Sequence, residues 1–502
     1  MKSLKLNVKA YKKTGFKRTR GPPNRMNDLS YTEWMRFQKS FFRHKSFPDL
    51  IEECIYFFTK AVWDNGRPSN SLVVGFPKFS VSMVFSPRKI FKVDTQFPEC
   101  LEKLELLSRE GRKFDFIMVN LFDKVDLQTD TYSKSKEELN RLFSSLKLLL
   151  KSEKYCGLVS NSPNSSAVSF PIPWSISYHG RGFLRLRDEK IGLIGNERTR
   201  TRRKHYHIIF FQNIPPKRPP KDFSPQEIVM TKHRSYIPSW IIPKPPPRKK
   251  GELLHPAKFP ETLVEEFIEM FTRKGDSVFD PMVGTGSTIL AATRLGRNAF
   301  GIDLSEKYVK IAKDRLREEF PVTLFKEDMT DRPRYEIICG DATKLDEITI
   351  LKDMKFHYCI TSPPYWSMLR SPGSEYQRSR KRKSLPLFYS DDPRDLGNIR
   401  DYDEFLKKLT KVYEIVAGKL VDSGFLTVIV KNVKRNHIIY PLAWDIVSEL
   451  CRQGGFYNFI GNTFWCQDDI PMKPFAVGIH WVSNTVHQYC LHFQKRKTRA
   501  KE

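Results

Sequence analysis

The sequence predicts an α/β fold over its second half: an open, mostly parallel sheet covered by helices. Three observations lead there. Strand-like and helix-like segments alternate regularly from about residue 251 onward, the pattern of crossover connections between parallel strands. Four of the strands end on a polar residue, Asp280, Asp303, Asp341 and Ser362. The first of these runs into an acidic, glycine-containing loop, Asp280-Pro281-Met282-Val283-Gly284-Thr285-Gly286-Ser287, which leads into a helix. Polar groups gathered at the carboxyl edge of such a sheet suit a nucleotide-like ligand.

In chain order, a helix is expected over 261–271, then the short strand 277–279 and the helix 288–295. A strand over 298–303 precedes a helix over 305–319, with Ser305 as its N-cap. Strands follow at 336–341 and 356–360, then a long loop and a helix at 401–420. Strand 424–431, helix 441–451 and strands 456–465 and 487–493 complete the series. Two basic, proline-rich stretches, 215–220 and 243–250, read as extended linker and divide the chain into 1–245 and 246–502. The first part is expected to be a basic α+β region. Ser30 and Glu33 form a capping box that opens an aromatic-rich helix. Residues 180–211 read as β-hairpins carrying Arg181, Arg185, Arg187, Arg198, Arg200, Arg202, Arg203 and Lys204. Alternation along a strand would turn one charged face toward phosphates.

Lys plus Arg number 86 against 57 acidic residues, a formal charge of +29, which points to a polyanionic partner, in practice nucleic acid. No run of 18 apolar residues argues for a membrane span. Residues 1–25 are basic without the apolar core of a signal peptide, so a cytoplasmic location is expected. The eight cysteines are scattered without a C-x-x-C pair, the pattern of packed, reduced thiols. His205-Tyr206-His207 has no acidic or cysteine neighbour, and no metal site is expected.

The chemistry sits at the strand ends. Gly284 and Gly286 let backbone approach a ligand where a side chain would collide. Asp280 can meet an ammonium or a bound water, Asp303 can accept from ribose hydroxyls, and Asp341 from an adenine amino group. In Thr361-Ser362-Pro363-Pro364-Tyr365-Trp366, a rigid Pro-Pro turn holds a hydroxyl and carbonyls beside a flat ring. That arrangement suits gripping the exocyclic amine of a planar base. Trp366 extends that wall or packs in the core.

Taken together, these two segments resemble the cofactor and target-base motifs of the DNA amino-methyltransferases, which modify cytosine N4 or adenine N6. The resemblance covers residues 251–495. It implies a Rossmann-like seven-stranded methyltransferase sheet, mostly parallel, with its last strand antiparallel. It implies S-adenosylmethionine (SAM) as methyl donor, held by Asp280, Pro281, Gly284, Gly286, Asp303 and Asp341. Ser362, Pro363, Pro364 and Tyr365 would bind and activate the target base, flipped out of double-stranded DNA. Residues 255–260, beginning at His255, resemble the segment beside the methionine moiety. Serine at the first tetrapeptide position goes mostly with cytosine N4. A site-specific enzyme of a prokaryotic restriction-modification system, with a cognate restriction endonuclease as functional partner, is the expectation. Its rivals are an adenine-N6 enzyme, an RNA methyltransferase and a non-catalytic DNA-binding protein. The cofactor segment precedes the Ser-Pro-Pro-Tyr motif, opposite to the order in many relatives with this local sequence style. Residues between and after the motifs are too few for a recognition domain. Sequence reading is therefore expected from 1–245, from the loop 367–400 with its basic run 378–383, or from both.

Overall fold

The computed structural model describes residues 26–44, 46–81, 86–122, 124–125, 132–161, 172–195, 203–216, 237–243, 259–321, 333–366, 392–435, 438–452, 454–468, 472 and 481–497. Helices α1 (Tyr31–Phe37) and α2 (Phe47–Phe58) flank the short strand β1 (Phe41–Phe42). The expected capping box opens α1: Ser30 Oγ accepts from the Glu33 N–H, and the Ser30 N–H donates to Glu33 Oε2 at 2.9 Å. Strands β2 (Asn70–Val74) and β3 (Lys89–Val93) follow, then α3 (Leu101–Arg109) and β4 (Phe114–Asn120). Helix α4 (Tyr132–Leu149), β5 (Leu150–Ser160), α5 (Ile172–Gly180) and the hairpin β6 (Arg185–Ile194) and β7 (Lys204–Gln212) complete the first sheet. Its order is β1-β6-β7-β5-β4-β2-β3. Every residue of β4 is buried, as a central parallel strand covered on both faces requires.

The second sheet starts with β8 (Trp240–Ile241) and helix α6 (Glu261–Phe271), followed by β9 (Ser277–Asp280) and α7 (Ser287–Arg294). Then come β10 (Asn298–Asp303), α8 (Glu306–Glu319), β11 (Tyr335–Cys339) and β12 (Phe356–Thr361). After β12 come α9 (Tyr402–Lys419) and β13 (Leu420–Val430), then a ribbon, β14 (Val433–Arg435) and β15 (Ile438–Tyr440). Helix α10 (Leu442–Cys451) and strands β16 (Tyr457–Cys466) and β17 (His487–Lys495) end the series. The order is β11-β10-β9-β12-β13-β17-β16-β8, with β17 antiparallel between β13 and β16. The seven expected strands and their antiparallel last member are all present.

The eighth strand moves a boundary. β8 lies before residue 245, yet Trp240 and Ile241 pair with Phe464 and Trp465 of β16. The division between the sheets therefore falls before β8, because its ladder partners belong to the second half. The arginine face expected on residues 180–211 is also corrected. β6 and β7 do form a hairpin, but its inner residues are buried on both faces; of the expected cations on these strands, Arg185 is half-buried and donates to the Pro215 carbonyl, and Lys204 is exposed at the strand start. Arg187 is fully buried and donates to the Trp481 carbonyl, while Arg203 donates to the Trp240 carbonyl at 3.0 Å. Arg181 is buried as well. Arg198, Arg200 and Arg202 lie outside the described residues.

The two sheets are copies of one plan. β1, β2, β3, β4, β5, β6 and β7 take the places of β8, β9, β10, β12, β13, β16 and β17, in the same chain order and the same directions. Their irregularities match too. The β4–β5 register shifts between Phe114 and Phe116, and the β12–β13 register shifts between Phe356 and Tyr358. β5 carries Glu153 at φ 62° and β13 carries Ser423 at φ 63°, each two residues before the strand's pairing resumes. Left-handed backbone at a non-glycine residue is uncommon, so its recurrence at matching places marks a repeat.

The copies share one interior. Trp481 of the second half is fully buried among Phe37, Phe57, Phe58, Tyr155 and Phe210 of the first. Trp174 on α5 stacks on Trp444 on the matching helix α10, with centroids 5.7 Å apart. Asp188 on β6 accepts from Lys434 Nζ at 2.6 Å and from the Ser483 N–H. Burial alone would raise the Asp188 pKa, but Lys434, the Ser483 N–H and Lys190 together outweigh it and hold the carboxyl below its usual range. Glu189 accepts from the Tyr489 hydroxyl of β17 and bonds His207 Nδ1.

Candidate active site

A cleft of ≈ 890 Å³, counting its solvent-facing space, opens at the carboxyl edge of the second sheet. Its walls come from the β9–α7 loop (Pro281, Met282, Val283, Gly284, Thr285, Ser287), the end of β10 and the start of α8 (Asp303, Leu304, Ser305, Tyr308), and the turn after β11 (Asp341, Ala342, Thr343). Ser362, Pro363 and Pro364 close it on the β12 side, with Phe259 and the segment Arg394, Asp395, Leu396. Seven of the ten expected site residues thus meet in one cavity: Pro281, Gly284, Asp303, Asp341, Ser362, Pro363 and Pro364. Asp280, Gly286 and Tyr365 stand behind its walls.

The Asp303 carboxylate is strung between backbone donors, taking Gly284 N–H on Oδ2 at 2.8 Å and Ser305 N–H on Oδ1 at 2.9 Å. Burial raises its pKa. It sets the loop and the start of α8 while still lining the cleft, and this Asp303 bond takes the place of a Ser305 side-chain cap, which α8 lacks. Asp341 Oδ1 caps the 3-10 turn Ala342–Glu347 through the Thr343 N–H and hydroxyl. Capping and facing the cleft are here properties of one carboxyl group.

Asp280 departs from expectation. It is fully buried, with Oδ2 accepting from Thr288 Oγ1 at 2.6 Å and Oδ1 from the Met282 N–H at 3.1 Å. Burial, with Asp303 adding like charge, pushes its pKa up to about 6. Its carboxyl shapes the loop from behind. Gly286 departs as well. It is the N-cap of α7 at φ 83°, and an added Cβ would lie 2.9 Å from Ala312 Cβ on α8. Its smallness serves helix packing, whereas Gly284, at φ 54°, is the glycine on the cleft wall.

Tyr365 is buried, and its hydroxyl donates to Gln488 Oε1 of β17 at 2.6 Å. Trp366 belongs to the core, packed on Tyr402 and Tyr440. His255 and the basic run 378–383 lie outside the described residues, though Phe259 of the expected methionine-side segment reaches the cleft. Sequence reasoning missed Tyr308, Ser287 and the segment 394–396. Tyr308 was within reach, since the first turn of a helix after an acid-ended strand returns to the same edge. Asp392-Pro393 and Asp395, which caps Leu396–Asn398, are turn and cap signals passed over inside a long loop.

The donor set fits SAM. Ser287 Oγ is buried in the first turn of α7 and has no partner among the described residues, although Ser287 lines the cleft. A hydroxyl left without a partner at a helix N-terminus suits a ligand carboxylate. Among the described residues no group of His, Cys, Asp and Glu is arranged to hold a metal ion, and no helix is long and apolar enough to cross a membrane.

A family model described as DNA methylase, of the N6/N4 methyltransferase type, matches residues 24–314, from before the first sheet to α8 of the second. The type II methyltransferase M2.DpnII of Streptococcus pneumoniae is 48% identical over 65 residues, 13% of this chain and 24% of that protein. The type II methyltransferase M.BglI of Bacillus subtilis is 31% identical over 112 residues, 22% of this chain and 31% of that protein. The chain thus spans only 24% and 31% of the lengths of these curated relatives. An rRNA methylase structure from Streptococcus thermophilus covers 48% of this chain and 99% of its own, at 12% identity and a TM-score of 0.28.

Proposed function

Because the chain belongs to the N6/N4 family of DNA methylases, we propose that it is a SAM-dependent enzyme methylating cytosine N4 in double-stranded DNA. The observation carrying this reading is that Ser362, Pro363 and Pro364 line the same cleft as Gly284, Asp303 and Asp341. Base-gripping and cofactor-gripping groups share one cavity.

When bound, SAM supplies a methyl group on an electrophilic sulfonium, so the chain's main task is alignment. Asp303 would take the ribose hydroxyls and Asp341 the adenine amine. Ser287 Oγ and the first turn of α7 would take the methionine carboxylate. The cytosine amine is a poor nucleophile because its lone pair is delocalised into the ring. Ser362 Oγ and the Pro363 carbonyl accept its two N–H bonds, which draws the nitrogen toward tetrahedral geometry and frees the lone pair. The proton lost on transfer leaves through those acceptors to water. Tyr365, anchored by Gln488 behind the Ser362–Pro364 wall, would back the pocket that takes the flipped base. The type II designation of these relatives supports a restriction-modification setting, and a prokaryotic cytoplasm with a restriction endonuclease as functional partner belongs to the same proposal.

The test is product analysis. Purified chain, labelled SAM and unmethylated duplex DNA are incubated, and the DNA is digested to nucleosides. Label in N4-methyldeoxycytidine is the expected result. Label in N6-methyldeoxyadenosine would move the target to adenine, and transfer to RNA alone would discard DNA as substrate.

A further inference from the structure

Beside the target tetrapeptide the chain leaves β13 through Lys431-Asn432-Val433-Lys434-Arg435, three cations within five residues. Their surroundings differ. Lys434 is spent on Asp188 and the Ser483 carbonyl. Arg435 lies over the Trp366 indole, its guanidinium carbon 5.0 Å from the ring centroid, and Trp366 directly follows Tyr365. Stacking fixes the guanidinium plane and leaves its N–H edges for acceptors in that plane. Lys431 follows Val430, which pairs with Tyr489, the neighbour of the Gln488 that holds the Tyr365 hydroxyl. It is only partly accessible, and desolvation pulls its pKa down to about 8. Among the described residues no carboxylate pairs with Lys431 or Arg435. A desolvated ammonium without a counter-ion is unfavourable until an anion arrives.

We infer that Arg435 and Lys431 form a phosphate grip that binds the DNA backbone beside the flipped nucleotide. The inference rests on the reading of duplex DNA as substrate. It divides the work by geometry: the planar Arg435 fork addresses two oxygens of one phosphodiester, and Lys431 supplies a point charge next to it. Held on Trp366 and on the exit of β13, both cations are tied to the elements that carry Ser362 and Tyr365. Backbone capture and base capture therefore occur in one register.

The experiment uses the full chain with Arg435→Gln, Arg435→Lys and Lys431→Gln, and a mixed-sequence duplex oligonucleotide as probe. Affinity is measured across a salt series, SAM affinity by calorimetry, and turnover on unmethylated plasmid DNA. R435Q and K431Q are each expected to lower the slope of log affinity against log salt by about one. They should raise KM for DNA and leave SAM affinity unchanged. R435K keeps the charge, so it should keep the slope while losing the fork, and it serves if R435Q does not fold. Unchanged slopes in both neutral variants, with SAM binding intact, overturn the grip. Lower slopes with an unchanged KM for DNA overturn its placement at the reacting nucleotide. If the wild-type chain transfers no methyl group to DNA while the slopes still fall, the substrate reading fails and the phosphate grip stands.

Discussion

The first and second sheets share strand order, strand direction and even the positions of their register shifts, yet the cleft formed by the described residues lies at the second. Register makes the comparison residue by residue. Val73 in β2 occupies the place of Asp280, Asp94 after β3 that of Asp303, and Asn120 at the end of β4 that of Ser362. Asp94 is exposed and paired with Lys92 at 2.6 Å. The Asn120 amide ties strand ends together, donating to the Gly75 carbonyl at 2.9 Å and accepting the Phe122 N–H at 3.0 Å. The β2–β3 connection holds no α-helix among the described residues, so nothing there matches α7 or its first turn. A parallel sheet provides an edge; the loop, the helix N-terminus and the buried acid turn that edge into a site.

The largest effect should come from breaking the joint between the copies. Trp481→Ala removes an indole enclosed by five aromatic rings of the first half and should destabilise the chain by about 3–5 kcal/mol. Denaturant unfolding measures it, and a loss below about 1 kcal/mol would mean the copies are nearly independent. A fragment of residues 246–502 should likewise fail to fold, lacking β8 and exposing Trp481.

Next comes the contrast in chemistry. Ser362→Ala should lower turnover by about 10²–10³ with SAM affinity retained, the scale of one lost bond at a reacting centre. Asn120→Ala, at the matching place in the first sheet, should leave turnover of the folded protein within about twofold. Equal losses in single-turnover assays would give both edges a catalytic part.

Asp303→Ala should weaken SAM binding by roughly 1.5–3 kcal/mol. Calorimetry on the unaltered chain should return one SAM per chain, since the described residues of the first sheet include no counterpart of α7 and its loop. A stoichiometry of two would show a second working cleft.

The smallest effect is a pH dependence. The Asp280 pKa is raised to about 6, so the native state keeps a proton that the unfolded chain surrenders near pH 4. The associated stability is complete below about pH 4 and is lost as pH rises through about 6, with a slope of at most ~1.4 kcal/mol per pH unit. Asp280→Asn should flatten that decline, as unfolding midpoints from pH 4 to 7 would reveal.

Much of the second sheet was legible. Two of its strands, β9 and β10, are apolar runs ending on Asp280 and Asp303, and the expected helix 261–271 has the bounds of α6. The repeat was not legible, because it resides in register and in two φ angles, while Val73 and Asp280, or Asn120 and Ser362, share no chemistry. The arginines in and beside the β6–β7 hairpin misled for a related reason. Alternation says that a strand has two faces, but only tertiary packing says that the second sheet covers one of them. Asp280 ends β9 and Gly286 opens α7 at the carboxyl edge. Asp280 is turned from the cleft by its bonds to Met282 and Thr288, and Gly286 by the packing of α7 on Ala312, and neither partner is encoded by residue type at the edge. The wall segment 394–396 was hidden by its distance in sequence from every motif it meets.

Strand β17 joins what the two halves do. Gln488 and Tyr489 are consecutive, so their side chains leave opposite faces of the strand. The first holds the hydroxyl of Tyr365, and the second is clasped by Glu189 of the other sheet. One strand thus carries, on its two faces, a contact to the Ser362–Tyr365 turn and a contact to the first sheet, so a change at Glu189 and a change at Tyr365 are separated by the thickness of a single strand.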